Sequence, residues 1–216
     1  MKLLYYRLFK RKKLAIAYHE AGHCVVAAIF TDKINLKMLS INKELMKKNH
    51  PSYNGGLDFE FINIPNPSEN EPADHLILIA LAGMCSKTIF NKGQKYVKKY
   101  FETFKNNSTQ IDNSGANDDY KIVNDYINPL AVRLQIRKDI IQWSGFRWLF
   151  DYLMTPEVLI ATKLIAEELI RRPSQSIYNG EITDLINSTG LAAYLLAKKN
   201  NIISRRYPLT REKLIV

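Results

Sequence analysis

The stretch Leu14 to Phe30, LAIAYHEAGHCVVAAIF, constrains this chain more than any other. It is rich in alanine and aliphatic residues and reads as a helix. Positions 16, 19, 20, 23, 27 and 30 fall on one face at the 3.6-residue period. That face is otherwise apolar, yet it carries His19, Glu20 and His23. A fold that buries the helix must therefore give three polar side chains something to bind.

Two histidines at i and i+4 lie about 6 Å apart on a helix face, close enough to share one ion. Neutral imidazole nitrogens bind zinc, and a glutamate beside the first histidine reaches a water on the metal. Zinc lowers the pKa of such a water to about 7, and the glutamate takes its proton. Residue types and spacing are those that hydrolysis of a peptide carbonyl requires. With only four histidines among 216 residues, this arrangement is a rare accident. The expectation is that Glu20 is the base and that His19 and His23 bind Zn2+. His50 and His75 are read as structural or solvated, and Cys24 as a buried thiol rather than a nucleophile. Gly22 within the helix costs roughly 1 kcal/mol against alanine. Two readings stand for it: close approach of a neighbouring element, or a tolerated glycine.

Further along, Ile34, Leu36 and Met38 alternate with polar residues, so 34–41 reads as a strand. Gly55-Gly56 opens a second strand, with Leu57, Phe59 and Phe61 on one side and Asp58 and Glu60 on the other, ended by Pro65 and Pro67. Residues 74–90 read as a buried helix. The stretch 96–104 carries Tyr96, Val97, Tyr100, Phe101 and Phe104 at helical spacing, either to dock a partner or to pack on its own domain. A polar loop spans Asn106 to Asn113, and a helix starts near Asp118 or Asp119. Thr155-Pro156 marks a helix start, with a capping hydroxyl and proline at the first helical position, and that helix runs to Arg172. Another helix covers about 190–199. The expected fold is mainly α with a small β-sheet, an α+β domain over 1–199, followed by a loose basic tail at 200–216.

Composition narrows the function classes. Hydrophobic residues make up 46% and charged residues 24%, an ordinary globular balance. The net charge of +10 fits solvated lysines; an acidic partner stays open, and nucleic acid is disfavoured because no nucleic-acid motif accompanies the charge. Two cysteines, Cys24 and Cys85, make no disulfide framework and point to a cytoplasmic, reducing compartment. The start MKLLYYRLFKRKK is neither signal peptide nor transmembrane span. It either contacts an anionic membrane peripherally or supplies charges that cap the first helix.

The run Ile16 to His23 closely resembles the zinc helix of the FtsH protease family, membrane-anchored enzymes in which an ATPase motor is fused to a zinc peptidase domain. Gly56-Leu57-Asp58-Phe59 resembles that family's substrate-binding edge strand, and Leu81-Ala82-Gly83 its Leu-Gly-Gly turn. Ser114 to Asp119 resembles its Thr-Gly-Ala-x-Asn-Asp segment, whose final aspartate is the third zinc ligand. Ala166 to Ile170 and Gly180 to Ile182 are similar to its C-terminal helices.

The resemblance, over about 14–186, implies a zincin-like peptidase domain. It implies Asp119 as third ligand, with Asp118 as the rival, and Gly56, Leu57, Asp58 and Phe59 as substrate-binding residues. The chain departs from the family in having no Gly-x-x-x-x-Gly-Lys-Ser/Thr phosphate loop, hence no motor. It has Gly83-Met84-Cys85-Ser86-Lys87 where the family has Gly-Arg-Ala-Ala-Glu, so Lys87 replaces a glutamate. Residues 91–113 read as an insertion. Two functions follow: a zinc endopeptidase cutting unfolded or flexible protein, alone or with a separate unfoldase, or a catalytically weak or inactive pseudo-peptidase serving as a protein-binding or regulatory module.

Overall fold

The computed structural model describes residues 2–45, 55–62, 71–93 and 117–206, with side chains over 11–45, 55–62, 74–93 and 119–198. Helix α1 spans Lys2–Ala27 and tightens into a 3₁₀ turn at Ala28–Phe30. Strands β1 (Ile34–Ser40) and β2 (Gly56–Phe61) follow, then α2 (Glu71–Lys92), α3 (Asn117–Leu134), α4 (Lys138–Leu153) and α5 (Pro156–Arg171). The chain continues through β3 (Ser176–Tyr178), α6 (Asn179–Ser188) and α7 (Leu191–Arg206). The architecture is mainly helical, with a small antiparallel sheet ordered β2-β1-β3.

The first helix is longer than the sequence implies. Its backbone is helical from Lys2, so the basic N-terminal run belongs to α1 itself. From His19 to Phe30 it is buried on every side, not on one face. The reason is that α2 covers one flank and α5 another, and alanine and valine suit such enclosure. Tyr152 of α4 reaches the same helix, its buried hydroxyl donating to the Val25 carbonyl at 3.1 Å.

Strand β1 lies between two partners and is accordingly buried along its second half. β2 is an edge strand: Leu57, Phe59 and Phe61 are half-buried, while Asp58 and Glu60 are exposed. The register pairs Ser40 with Gly56 and Leu36 with Phe59, with a bulge between Leu36 and Met38. The other side of β1 is pinned to β3 by a buried hydroxyl pair, Ser40 Oγ and Ser176 Oγ at 2.7 Å.

Several expectations change. Helix α4 and strand β3 have no counterpart in the sequence reading. Gly145 lies inside α4 where α2 comes close: a Cβ there would stand 3.2 Å from Leu81 Cδ1. β3 is only three residues long and is defined by its pairing with β1. Helix α5 begins at Pro156 as expected, but the Thr155 hydroxyl does not cap it; it donates to the Asp151 carbonyl at 3.3 Å. Helix α7 continues to Arg206, through the start of the expected tail. The aromatic stretch 96–104, the loop 106–113, nearly all of the 91–113 insertion and His50 lie outside the described residues. No helix of the described residues is long and apolar enough to cross a membrane.

Candidate metal centre

Helix α1 supplies His19, Glu20 and His23, all buried. Helix α3 begins at Asn117 and brings Asp119 in its first turn to the two histidines. The Nε2 atoms of His19 and His23 lie 3.1 Å apart. Asp119 Oδ2 is 2.9 Å from His19 Nε2, and Oδ1 is 3.6 Å from His23 Nε2. One ligand atom from each residue falls within 4.8 Å of the others, the only such cluster among the described residues.

These separations suit a shared ion. Ligand atoms about 2.0–2.1 Å from a tetrahedral centre lie about 3.3 Å from one another; the two Nε2 atoms at 3.1 Å are near that value, and Asp119 faces each histidine with a different oxygen, at 2.9 and 3.6 Å. His23 Nδ1 lies 2.6 Å from the Ile79 carbonyl oxygen. A carbonyl only accepts, so Nδ1 carries a proton, and Nε2, which gives up its own proton when a cation binds, faces the cluster. Asp119 Oδ2 is itself buried against His19 Nε2. Potential ligand atoms from three residues thus converge on one place.

The charges agree. Burial works to lower the His23 pKa, but Asp119, then Glu20 and the Ile79 carbonyl, outweigh it and lift it to about 9. Burial works to raise the Asp119 carboxyl; His23 and His19 hold it well below the ordinary range. Glu20 is shifted up, chiefly by burial and against the pull of both histidines. Its Oε2 is buried with no hydrogen-bond partner, an acceptor that a water or substrate donor would satisfy.

Two glycines bring α1 and α2 together at this point. A Cβ on Gly22 would stand 2.5 Å from Ser86 Cβ and 2.7 Å from the Ala82 carbonyl oxygen. A Cβ on Gly83 would collide with both imidazoles. Of the two readings for Gly22, close approach is the one observed. The Ser86 hydroxyl donates to the Tyr18 carbonyl at 2.5 Å across the same contact.

Of the residues singled out in the sequence, His19, Glu20, His23 and Asp119 come together. Gly56, Leu57, Asp58 and Phe59 form an edge strand, and Gly55 just before it adjoins Glu20. The Asp118 side chain and Ser114 to Ala116 lie outside the described residues. His75 is a core residue packed on Phe30, ring centroids 4.1 Å apart. Cys24 and Cys85 are free and buried, and burial pushes the Cys24 thiol up to about 12. Lys87 is half-buried one turn past Gly83.

The sequence reading does not identify the Ile79 carbonyl or Gly55 as part of the site. A backbone acceptor leaves no trace in residue identity, whereas an isolated glycine inside the apolar run Leu76 to Met84 is a visible sign of close approach at Gly83. No protein-family model matches the chain, and no curated protein is significantly similar to it.

Proposed function

We propose that this protein is a zinc-dependent endopeptidase of zincin-like, FtsH-type build, acting on unfolded or flexible protein by a cleavage step that needs no ATP. The observation that carries the reading is the convergence of His19, His23 and Asp119 beside the unpartnered buried oxygen of Glu20. Two imidazoles and a carboxylate form the three-protein-ligand set of catalytic zinc sites, which keep a fourth position open. Zinc bound there would polarise a peptide carbonyl and acidify a water.

The remaining work falls to the chain. The Ile79 carbonyl orients His23. Glu20 accepts the proton from the attacking water and passes it to the leaving amine. The outer edge of β2 has no strand partner among the described residues and would take an extended peptide by backbone hydrogen bonds. Edge pairing needs an extended segment, which supports unfolded or flexible substrates, or substrates delivered by a separate unfoldase. The two free, buried thiols fit a cytoplasmic setting.

The test is cleavage of an unfolded protein by the zinc-loaded chain without ATP, beside Glu20→Gln. Cleavage by wild type, lost in the variant at unchanged zinc content, supports the reading. Equal cleavage by both refutes the role of Glu20. Zinc binding with no cleavage by either leaves a metal-binding pseudo-peptidase.

A further inference from the structure

Gly55 stands directly before β2, and its backbone does not require glycine: its φ is outside the left-handed region occupied by Gly93 and Gly190. What the missing side chain provides is space. A Cβ on Gly55 would lie 2.7 Å from Glu20 Oε1, 3.1 Å from Glu20 Cδ and 3.0 Å from the Ser40 carbonyl oxygen. Of these neighbours the strand carbonyl is held, so the carboxylate at the end of the Glu20 side chain is the one a methyl would displace. Ser40 is on the central strand, paired with Gly56 and held from behind by Ser176. Glu20 hangs from a stretch of α1 that is buried on all sides, so its carboxylate lies between that helix and the strand end.

We infer that Gly55 is the positioning residue for Glu20, setting where the carboxylate sits relative to His19, His23 and Asp119 by contributing no side chain. The inference rests on Glu20 being the base of the proposed reaction. It explains the tandem glycine: Gly56 starts the strand in register with Ser40, and Gly55 keeps the space over the carboxylate clear. A base displaced by the ångström that a methyl group demands would lose its alignment with the attacking water, an effect on turnover rather than on substrate binding.

The test uses Gly55→Ala, Glu20→Asp and the double variant. In chelator, without metal, thermal unfolding measures the contact itself. Gly55→Ala is expected to lower Tm by about 3 °C or more when Glu20 is intact. In the Glu20→Asp background the loss should shrink to less than half, because the shorter side chain withdraws its carboxylate from the methyl. Equal losses in both backgrounds, or failure to fold in both, overturn the inference, since the neighbour that matters is then the Ser40 carbonyl.

With zinc bound and an unfolded protein as substrate, Gly55→Ala is expected to lower kcat about 10-fold or more, with KM within about twofold and zinc per chain unchanged. The same substitution should cost little further kcat in Glu20→Asp. A matching loss in both backgrounds, or a loss confined to KM, overturns it. If wild type shows no cleavage, the peptidase reading fails while the metal-free unfolding cycle still decides the contact between Gly55 and Glu20.

Discussion

Gly83→Ala tests the metal centre through a residue that is not a ligand. The added methyl would stand 2.6 Å from His23 Cε1 and 2.8 Å from His19 Cε1, closer still to His23 Nε2. Carbon atoms in ordinary contact sit about 3.5–4.0 Å apart, so the rings or the helix must retreat by about 1 Å. Zinc sites tolerate about 0.2 Å in ligand distance. At least one imidazole therefore leaves its position, and an affinity loss of about 100-fold or more is expected, about 2.7 kcal/mol. Stability of the metal-free protein should fall by no more than about 2 kcal/mol. Overpacking costs about 1–3 kcal/mol, and alanine regains about 1 kcal/mol over glycine within a helix. The assay is zinc affinity by competition with a chromogenic chelator, beside Tm in chelator alone. A variant that binds zinc within twofold of wild type would refute the placement of α2 against the histidines.

Other expectations follow from the same geometry. His23 in the metal-free site has a pKa of about 9 against an ordinary 6.5. Its contribution to stability is therefore complete below about 6.5 and lost as pH rises through 9. Zinc loading at pH 7 must displace that proton, so calorimetry in buffers of different ionisation enthalpy should show about one proton released; none released would contradict a protonated apo site. Ser40→Ala removes the partner of Ser176 and the acceptor of the Asn42 backbone N–H at 3.0 Å. A loss of about 1–3 kcal/mol is expected, seen as a lower Tm, and an unchanged Tm would show that the hydroxyl pair does not hold β3 to β1. Gly180, by contrast, has nothing within 4 Å of the place a Cβ would take and no left-handed φ. Gly180→Ala should leave stability equal or raise it by up to about 1 kcal/mol in chemical denaturation, and a clear loss would mean that α6 is packed there.

The legible parts of this fold are those whose cause is local. Alternation in Ile34, Leu36 and Met38 comes from strand geometry alone, and β1 is a strand for that reason. Thr155-Pro156 fixes a helix start through proline's own φ, so α5 begins where the dipeptide places it, although the threonine hydroxyl bonds elsewhere. His19, Glu20 and His23 are visible because an i, i+4 pair requires only one helix. Asp119 is 96 positions beyond His23; composition and periodicity cannot bring it to the histidines, and only the resemblance of Ser114 to Asp119 to a known segment does so. Helix α4 is hidden because its apolar residues surround Gly145, a poor helix former, and the neighbour it packs near, Leu81, belongs to another helix. β3 has too few residues for any period and exists through its hydrogen bonds to β1.

The energetics of the site also argue for a bound cation. Within a core whose neighbours are alanine, valine, isoleucine and leucine, the site buries the His19 and His23 imidazoles and the Glu20 carboxylate, with Asp119 half-buried beside them. A core selected for stability alone would fill these positions with apolar side chains, because breaking or under-satisfying a buried charged group costs several kcal/mol. Here one oxygen of Glu20 has no hydrogen-bond partner. Two glycines, each unfavourable within a helix by about 1 kcal/mol, hold the helices close enough for the rings to converge. A ligand that binds only the folded state returns stability in proportion to the logarithm of its concentration over Kd, about 4.1 kcal/mol at a thousandfold excess. A divalent ion at His19, His23 and Asp119 would offset these costs directly. Removing it should therefore lower Tm even in Glu20→Gln, where no catalysis is at stake.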